Sequence, residues 1–298
     1  LKPRWLQGAN MALEGLLSSR FVGAIPVVNA GGEGGSSPED AATEEIIALY
    51  YAEGDPTNGH RSQRSTLFAN QAASAFELEG PDGARIEVAQ QTDRLRLAGV
   101  TGCVVWNGAV VLAKALGHWA DELRLLSLSG MQVLELGAGT GALALAAAML
   151  GASVLATEQS ERLKLLRRNL ESHGDGPGPP WKVGRRDGSV DLRELDWFNP
   201  GDEVVPCDLV LATDVVYTEE VTAAFVRTLA TYPVPAIVAV ELRTEEVHYA
   251  FINELATAEF EVHRLTEDSL PADVRTRRVV VYLLIPPPAG ASRDRGCP

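Results

Sequence analysis

A short glycine-rich turn between an apolar strand and an apolar helix constrains this chain more than any other feature. The apolar stretch that ends at residue 136 runs directly into Gly-Ala-Gly-Thr-Gly at 137–141, and residues 142–150 consist of Ala, Leu and Met. Glycines let the backbone turn sharply and pass close to a ligand, because they carry no Cβ. In an open α/β sheet such a turn lies at the carboxyl edge of the strands, where ligands bind. The sequence therefore predicts a strand–loop–helix unit that binds a ligand.

Strands and helices alternate around this turn. Predicted strands cover 132–136, 153–157, 190–195, 208–213, 236–241, 260–265 and 278–285. Predicted helices cover 141–150, 161–172, 219–231 and 245–256. Residues 182–186 compete with 190–195 for the third strand. Alternation of this kind indicates a parallel sheet, and the last two strands, which no helix separates, indicate an antiparallel end. We expect a Rossmann-like, doubly wound α/β sheet of seven strands whose last strand is antiparallel.

Two further elements precede the sheet, and the ends of the chain differ in composition from the rest. Residues 74–90 alternate apolar and polar around Pro-Asp-Gly, which is typical of a β-hairpin. Residues 106–119 carry apolar side chains at helical spacing. Residues 29–45 are rich in Gly, Ser and acids, which favours a flexible linker. The predicted organisation is a flexible acidic leader at 1–60, one domain at 61–286 and a disordered tail at 287–298.

The charge balance limits the partners of the chain. With 26 Lys and Arg against 40 Asp and Glu, the formal net charge is −14, which disfavours direct binding to nucleic acid and favours a basic protein segment. Three well-separated cysteines (Cys103, Cys207, Cys297) indicate a reducing compartment and give no zinc pattern. The apolar window 133–157 is interrupted by Glu135 and glycines, which argues against a membrane span. We expect a monomer in the cytoplasm or nucleus, bound neither to nucleic acid nor to membrane.

Two cofactors fit the glycine loop. As G-x-G-x-x-G/A, a degenerate dinucleotide fingerprint is matched by Gly137, Gly139 and Ala142. As E-x-G-x-G-x-G, the loop of S-adenosylmethionine-dependent methyltransferases is matched by Glu135, Gly137, Gly139 and Gly141. The additional glycine and the acid favour the second interpretation, because an acid at the end of the strand suits the cationic end of S-adenosylmethionine. A third alternative is that the glycines only form a tight turn.

Further motifs lie at fixed places around the loop. Glu158 follows Gly137 by 21 residues, a position suited to binding two ribose hydroxyls. The other motifs are T-G at 101–102 with V-W-N-G-A at 105–109, L-D-W at 195–197 and D-V-V-Y at 214–217. Together they resemble the seven-β-strand protein methyltransferases of family 16, which modify lysine, although one relative modifies histidine. The resemblance covers roughly residues 76–285 and leaves 1–60 outside it.

The resemblance implies a cofactor site. Its predicted residues are Trp106, Glu135, Gly137, Ala138, Gly139, Glu158, Trp197 and Thr213. Trp106 would lie by the methionine end of the cofactor, where its indole N–H suits a carboxylate, although a tryptophan on an amphipathic helix can also be a core residue. Trp197 would lie against the adenine, and Thr213 would line the pocket through its backbone. No metal site is expected, since the five histidines are scattered.

Asp214, Tyr217 and Glu241 are the candidate catalytic residues. A lysine ammonium must lose a proton before its nitrogen can attack a methyl group, and a nearby sulfonium lowers the pKa of that lysine. By resemblance, Asp214 orients the amine and Tyr217 forms an aromatic wall, with alignment accounting for most of the acceleration. Alternatively, Asp214 caps the helix predicted from Glu219 and Tyr217 only packs. Glu241 either holds the amine or pairs with Arg243.

The predicted activity is therefore transfer of a methyl group from S-adenosylmethionine to a lysine side chain of a protein, with S-adenosylhomocysteine as product. One alternative is a small-molecule N-methyltransferase, which would need a lid over its pocket. The other is a non-catalytic binding module that keeps the cofactor fold. Neither the glycine loop nor the D-V-V-Y motif is interrupted, which favours the enzyme.

Overall fold

The computed structural model describes residues 13–27, 37–51, 68–96 and 101–288. The strands are β1 (Val22–Val27), β2 (Ala75–Glu79), β3 (Arg85–Ala89), β4 (Gln132–Leu136), β5 (Ser153–Glu158), β6 (Trp181–Val183), β7 (Gly188–Glu194), β8 (Leu209–Thr213), β9 (Ala236–Glu241), β10 (Glu261–Leu265) and β11 (Val279–Ile285). The longer helices are α1 (Pro38–Ile46), α2 (Asn107–Gly117), α3 (Ala142–Met149), α4 (Leu163–Glu171), α5 (Glu219–Leu229) and α6 (Glu245–Thr257).

The main sheet has the strand order β1-β10-β11-β9-β8-β4-β5-β7-β6. Strands β9, β8, β4, β5 and β7 are parallel neighbours, whereas β11 is antiparallel to β9 and to β10. The predicted α/β class, the seven strands and the antiparallel end are confirmed. The two segments that competed for the third strand, 182–186 and 190–195, both contribute to strands. Strand β6 pairs with β7 in antiparallel orientation and forms one edge of the sheet. With β1 on the opposite edge, the described sheet reaches nine strands.

Apolar helices cover both faces of the sheet. Successive side chains of a strand point to opposite faces, so Val133 and Leu209 pack with α2 and α3, while Leu134 and Val210 pack with α1, α5 and α6. The predicted hairpin is formed by β2 and β3, which join the first of these two cores. Parallel strands end at one edge of the sheet, and the loops after β4, β5 and β8 therefore meet there. Among the described residues, no helix has the length and apolar character needed to cross a bilayer.

Part of the predicted flexible linker is a helix. Ser37 is the N-cap of α1: its hydroxyl accepts a hydrogen bond from the backbone N–H of Asp40 at 3.1 Å, and the Asp40 carboxylate accepts one from the backbone N–H of Ser37. Pro38 occupies the first turn, where its missing N–H is not needed. The linker prediction is therefore wrong over residues 37–45, because this capping box outweighs the Gly- and Ser-rich composition before it.

The same segment is packed into the domain. Helix α1 lies on α6 and buries Ala42, Ile46 and the carboxyl of Glu45, and β1 extends the sheet beside β10. The boundary predicted at residue 60 is consequently wrong for these two described parts of the leader. The rest of the leader and the predicted tail, except for residues 287 and 288, lie outside the described residues.

Candidate active site

A cleft of about 780 Å³, partly open to solvent, lies at the edge of the sheet where β4, β5 and β8 end. Nine of the eleven predicted site residues line it: Trp106, Gly137, Ala138, Gly139, Glu158, Trp197, Thr213, Asp214 and Tyr217. Glu135 and Glu241 are buried next to this region without lining the cleft. The fold thus brings residues from five separate segments of the sequence into one cavity.

The glycine loop forms one wall of the cleft. Gly137 has φ +77°, and a Cβ built on it would lie 3.0 Å from the ring of Trp197 and 3.2 Å from Val215. Both the backbone conformation and the close approach therefore require glycine here. Trp197 packs on Phe225, with 5.3 Å between the ring centroids, so its indole is held between the loop and α5. Thr213, the last residue of β8, lines the adjacent part of the wall.

Glu158 ends β5 and ties the glycine loop to the start of the next helix. Its Oε2 accepts a hydrogen bond from the backbone N–H of Gly139 at 2.9 Å. Its Oε1 accepts from the backbone N–H of Gln159 at 2.9 Å and from Arg162 at 3.2 Å. Each carboxylate oxygen has two acceptor positions, so Oε1 is fully engaged and one position on Oε2 remains for a ribose hydroxyl. Gln159 and Arg162 also line the cleft, although only their place directly after Glu158 could have indicated this.

Trp106 precedes α2 and lines the cleft with its indole ring. Its N–H donates to the backbone carbonyl of Thr101 at 2.8 Å, so the prediction that this N–H suits a carboxylate is wrong. The guanidinium carbon of Arg243 lies 4.5 Å from the centre of the ring, within the range of a cation–π contact. This arginine entered the sequence analysis only as a partner for Glu241.

Asp214 follows β8 with a left-handed backbone, φ +55°, and a side chain that is only 2% exposed. Its Oδ2 accepts from the backbone N–H of Gly108 at 2.7 Å, whereas Oδ1 has no hydrogen-bond partner among the described residues. Burial, opposed by the Arg243 charge, raises the pKa of Asp214 to about 6. The suggestion that Asp214 caps the helix at 219 is wrong, because Thr218 caps α5. Asp214 instead binds the first turn of α2.

Glu241 ends β9 and is engaged by other parts of the protein. Its Oε2 accepts from Asn107 at 3.2 Å and its Oε1 from Arg278 at 2.9 Å. It lines a smaller side pocket of about 240 Å³, together with Tyr217, Arg243, Tyr50 and His248. Tyr217 lines both cavities and therefore lies where they adjoin. Because Tyr50 also lines the side pocket, the N-terminal segment lies next to the candidate active site.

Glu135 is 1% exposed and its Oε2 has no hydrogen-bond partner among the described residues. Burial and the nearby charge of Glu158 raise the pKa of Glu135 to about 8. The wall of the cleft thus combines a fixed carboxylate, two indoles and the glycine-loop backbone. This set fits a cofactor with a ribose and a purine, whereas Glu135, which was predicted to suit the cationic end, is buried outside the cleft and mostly protonated at pH 7. Within the described ranges, no group of three or more His, Cys, Asp or Glu residues could hold a metal ion.

The sheet, the glycine loop and the acid that ends β5 define a Rossmann-like methyltransferase. A family model described as lysine methyltransferase matches residues 87–258, which is more than half of the chain. The chain belongs to this lysine methyltransferase family. The resemblance found in the sequence is confirmed, and the dinucleotide interpretation of the loop is set aside. Membership of this family also confirms the predicted cofactor, S-adenosylmethionine.

Curated relatives carry the same description. Protein N-lysine methyltransferase METTL21A of Danio rerio is 36% identical over 163 residues, covering 54% of this chain and 65% of the relative. METTL21A of Mus musculus is 35% identical over 150 residues, covering 48% and 59%. Protein-lysine methyltransferase METTL21E of Bos taurus is 32% identical over 121 residues, covering 39% and 38%. The chain spans less than two thirds of the length of these relatives.

Solved structures are more distant. Magnesium protoporphyrin IX methyltransferase from Synechocystis with bound SAH is 16% identical, with a TM-score of 0.42, covering 65% of this chain and 93% of that one. A T. thermophilus 16S rRNA methyltransferase in complex with AdoMet and guanosine is 19% identical, with a TM-score of 0.42, covering 72% and 50%.

Proposed function

We propose that this protein transfers a methyl group from S-adenosylmethionine to the side-chain nitrogen of a lysine in a protein substrate. The single observation that carries the proposal is Asp214, a residue that lines a cleft built around a glycine loop and whose buried Oδ1 has no hydrogen-bond partner among the described residues. Bound S-adenosylmethionine supplies an electrophilic methyl group on a sulfonium. The lysine nitrogen forms the new N–C bond, the S–C bond breaks, a proton is released and S-adenosylhomocysteine is the second product.

The cleft residues divide the work of binding this cofactor. Glu158 accepts from a ribose hydroxyl at the remaining position of Oε2, since its carboxylate is already oriented by Gly139 and Gln159. The indole of Trp197 provides a flat apolar face for the adenine. The backbone of residues 137–139 forms the wall. Glu135 lies outside the cleft, and its pKa of about 8 keeps it mostly protonated at pH 7, so we assign it no contact with the cationic end. The ring of Trp106 bounds the opposite, methionine end.

Asp214 and Tyr217 act on the incoming amine. An acceptor at Oδ1 of Asp214 orients an N–H of the neutral amine, so that the nitrogen lone pair faces the reacting carbon. Tyr217 contributes an aromatic wall where the cleft meets the side pocket. Glu241 has a supporting role, because Asn107 and Arg278 already engage its two oxygens. Alignment rather than a strong base is the source of the rate enhancement.

We further propose a partner that presents its lysine in a basic segment, and neither a nucleic acid nor a membrane. The net charge of −14 supports this. So do the acidic first turns of α5 and α6, which follow β8 and β9 at the edge where the cleft opens. A monomer acting in the cytoplasm or nucleus, where thiols stay reduced, is the form that we propose.

Incubation with labelled S-adenosylmethionine and a proteome extract tests the activity. The extract is then separated into protein, nucleic acid and small molecules, and each fraction is counted for label. Label in a protein band that depends on the active chain supports the proposal. Label only among small molecules indicates the small-molecule enzyme, label in RNA or DNA indicates a nucleic-acid enzyme, and cofactor binding without any transfer indicates a binding module.

A further inference from the structure

Arg243 lies between the cleft and the side pocket and faces both buried acids. Its Nη2 is 3.8 Å from Oδ1 of Asp214 and 3.7 Å from Oε2 of Glu241, and its guanidinium stacks on Trp106. The arginine side chain is 30% exposed, whereas the Glu241 side chain is 8% exposed and Asp214 less still. The partly exposed guanidinium of Arg243 therefore lies within 3.8 Å of two buried carboxylates, those of Asp214 and Glu241.

The charges of this cluster balance. Arg278 donates a hydrogen bond to Glu241 at 2.9 Å and so compensates one carboxylate directly. Arg243 compensates the other from beyond hydrogen-bond distance. The negative charge of Asp214 is thus offset, while its buried Oδ1 has no hydrogen-bond partner among the described residues. The remaining titratable groups of the side pocket are Tyr50, Tyr217 and His248. Burial lowers the pKa of His248 to about 3, so this histidine adds no positive charge.

This arrangement decides which form of a lysine the site accepts. With Arg278 alone, the buried acidic pair would keep one uncompensated negative charge and would bind the ammonium form as an ion pair, and that form cannot attack a methyl group. A fixed cation about 4 Å away disfavours a second cation, whereas a neutral amine can still donate an N–H to the open oxygen. We propose that Arg243 is a positioning residue that completes, together with Arg278, the neutralisation of the Asp214–Glu241 pair, so that the target lysine is bound as the free amine. The inference rests on the proposed function.

Binding of n-butylamine, a mimic of the lysine side chain, tests this without any turnover. The protein is saturated with S-adenosylhomocysteine and titrated with n-butylammonium chloride at pH 7 in a calorimeter. We expect Arg243→Gln to bind n-butylammonium about tenfold more tightly than the parent chain, because the competing cation is gone. Arg243→Lys, which keeps the charge, should stay within about threefold of the parent. Arg227→Gln, at an exposed arginine of α5, is the matched control.

The pH dependence of label transfer into the extract provides the second readout. In Arg243→Gln the acid limb of the rate should move up by about one pH unit, because the bound lysine keeps its proton more strongly and because the pKa of Asp214, which the Arg243 charge lowers, rises as well. Arg243→Lys should restore the original limb.

Unchanged n-butylammonium binding in Arg243→Gln overturns the proposal, as does a rate that falls equally at all pH values. If the parent chain transfers no label, the proposed function fails, while the n-butylammonium titration still decides the role of Arg243.

Discussion

The carboxylate of Asp214 and the backbone N–H of Gly108 are joined by a hydrogen bond of 2.7 Å across 106 residues of sequence. A Cβ at Gly108 would lie only 2.5 Å from this carboxylate, so the contact requires glycine at that position. The preceding residue, Asn107, donates to Glu241. The first turn of α2 therefore orients both candidate acids. The V-W-N-G-A motif thus does two things: Trp106 lines the cleft, and Asn107 and Gly108 hold the carboxylates of Glu241 and Asp214.

The hydrogen bond makes Asp214→Asn the most informative change in the cleft. An asparagine oxygen can still accept from Gly108, so α2 should keep its start and the fold its stability. The negative charge that orients the amine is lost. We expect methyl transfer to fall about a hundredfold and cofactor affinity to stay within a few-fold. Rates from label incorporation and affinities from calorimetry check this.

Asp214→Ala serves as the companion variant. It removes the hydrogen bond to Gly108 as well as the charge, and we expect an additional loss of stability of about 1 kcal/mol. If Asp214→Asn transfers methyl at the parent rate, the amine is oriented by Glu241 instead. If it abolishes cofactor binding, Asp214 belongs to the cofactor site.

Glu158→Ala should weaken S-adenosylmethionine binding about tenfold to a hundredfold, since bonds to a charged group contribute roughly 1.5–3 kcal/mol. Alanine also releases the N–H of Gly139, so the loop loses part of its order. Calorimetric titration with the cofactor measures the effect. Glu171→Gln, at an exposed acid of α4, is the control and should bind normally. Normal binding by Glu158→Ala would refute the ribose assignment.

Gly137→Ala and Gly130→Ala form a matched pair. Both glycines have nearly the same backbone conformation, with φ +77° and +75°, but a Cβ meets Trp197 at the first and open space at the second. We expect both variants to lose about 1 kcal/mol of stability through backbone strain. Only Gly137→Ala should weaken cofactor binding, by about tenfold or more, because the Trp197 wall must move. Equal cofactor affinity in the two variants would contradict the described wall.

The buried carboxyl of Glu45 should make the free energy of unfolding depend on pH in a way that the exposed acids do not. The Tyr282 hydroxyl donates to it at 2.8 Å, and burial raises its pKa from the usual 4.5 to about 7. Between these values the folded state holds the proton more tightly than the unfolded chain. The contribution of Glu45 is therefore complete below about pH 4.5 and is lost as the pH rises to about 7.

Unfolding by urea, measured from pH 4.5 to 8, tests this. Glu45→Gln should be on the order of 3 kcal/mol more stable relative to the parent at pH 8 than at pH 4.5. The neighbouring exposed Glu44, changed to Gln, should show a difference that stays constant with pH. The comparison between variants removes the opposing contribution of His248, which is common to all three chains. A flat difference for Glu45→Gln would mean that α1 does not pack as described.

The central strands and helices could be predicted from the sequence, whereas the two outer strands of the sheet and helix α1 could not. The period of the apolar residues switches clearly between β4 and α6, because these elements are buried on one or both faces. At the edges the same signals weaken. The strand β6 has only three residues, and α1 follows a stretch whose composition indicates a linker. Ser37-Pro38-Glu39-Asp40 was the available signal, since a capping residue followed by proline and acids marks a helix start.

The site was predictable where a role depends on backbone or on a motif. The glycine loop, Glu158 and Asp214 fall into this class and line the cleft together. Contacts between distant segments were not predictable, because they depend on the tertiary arrangement: Gly108 with Asp214, and Arg243 with Trp106. Nothing in the sequence spacing distinguishes an arginine that pairs with its neighbour from one that faces two acids.

The central claim is protein-lysine methylation, and fragmentation mass spectrometry of the labelled protein band tests it most directly. The account predicts a methyl group on the Nζ of a lysine, present after incubation with the parent chain and reduced about a hundredfold with Asp214→Asn. The Glu171→Gln control should give the same lysine at the parent level. A methyl group on histidine, on a carboxylate or on a chain terminus, or lysine methylation at an equal level with Asp214→Asn, would contradict the account.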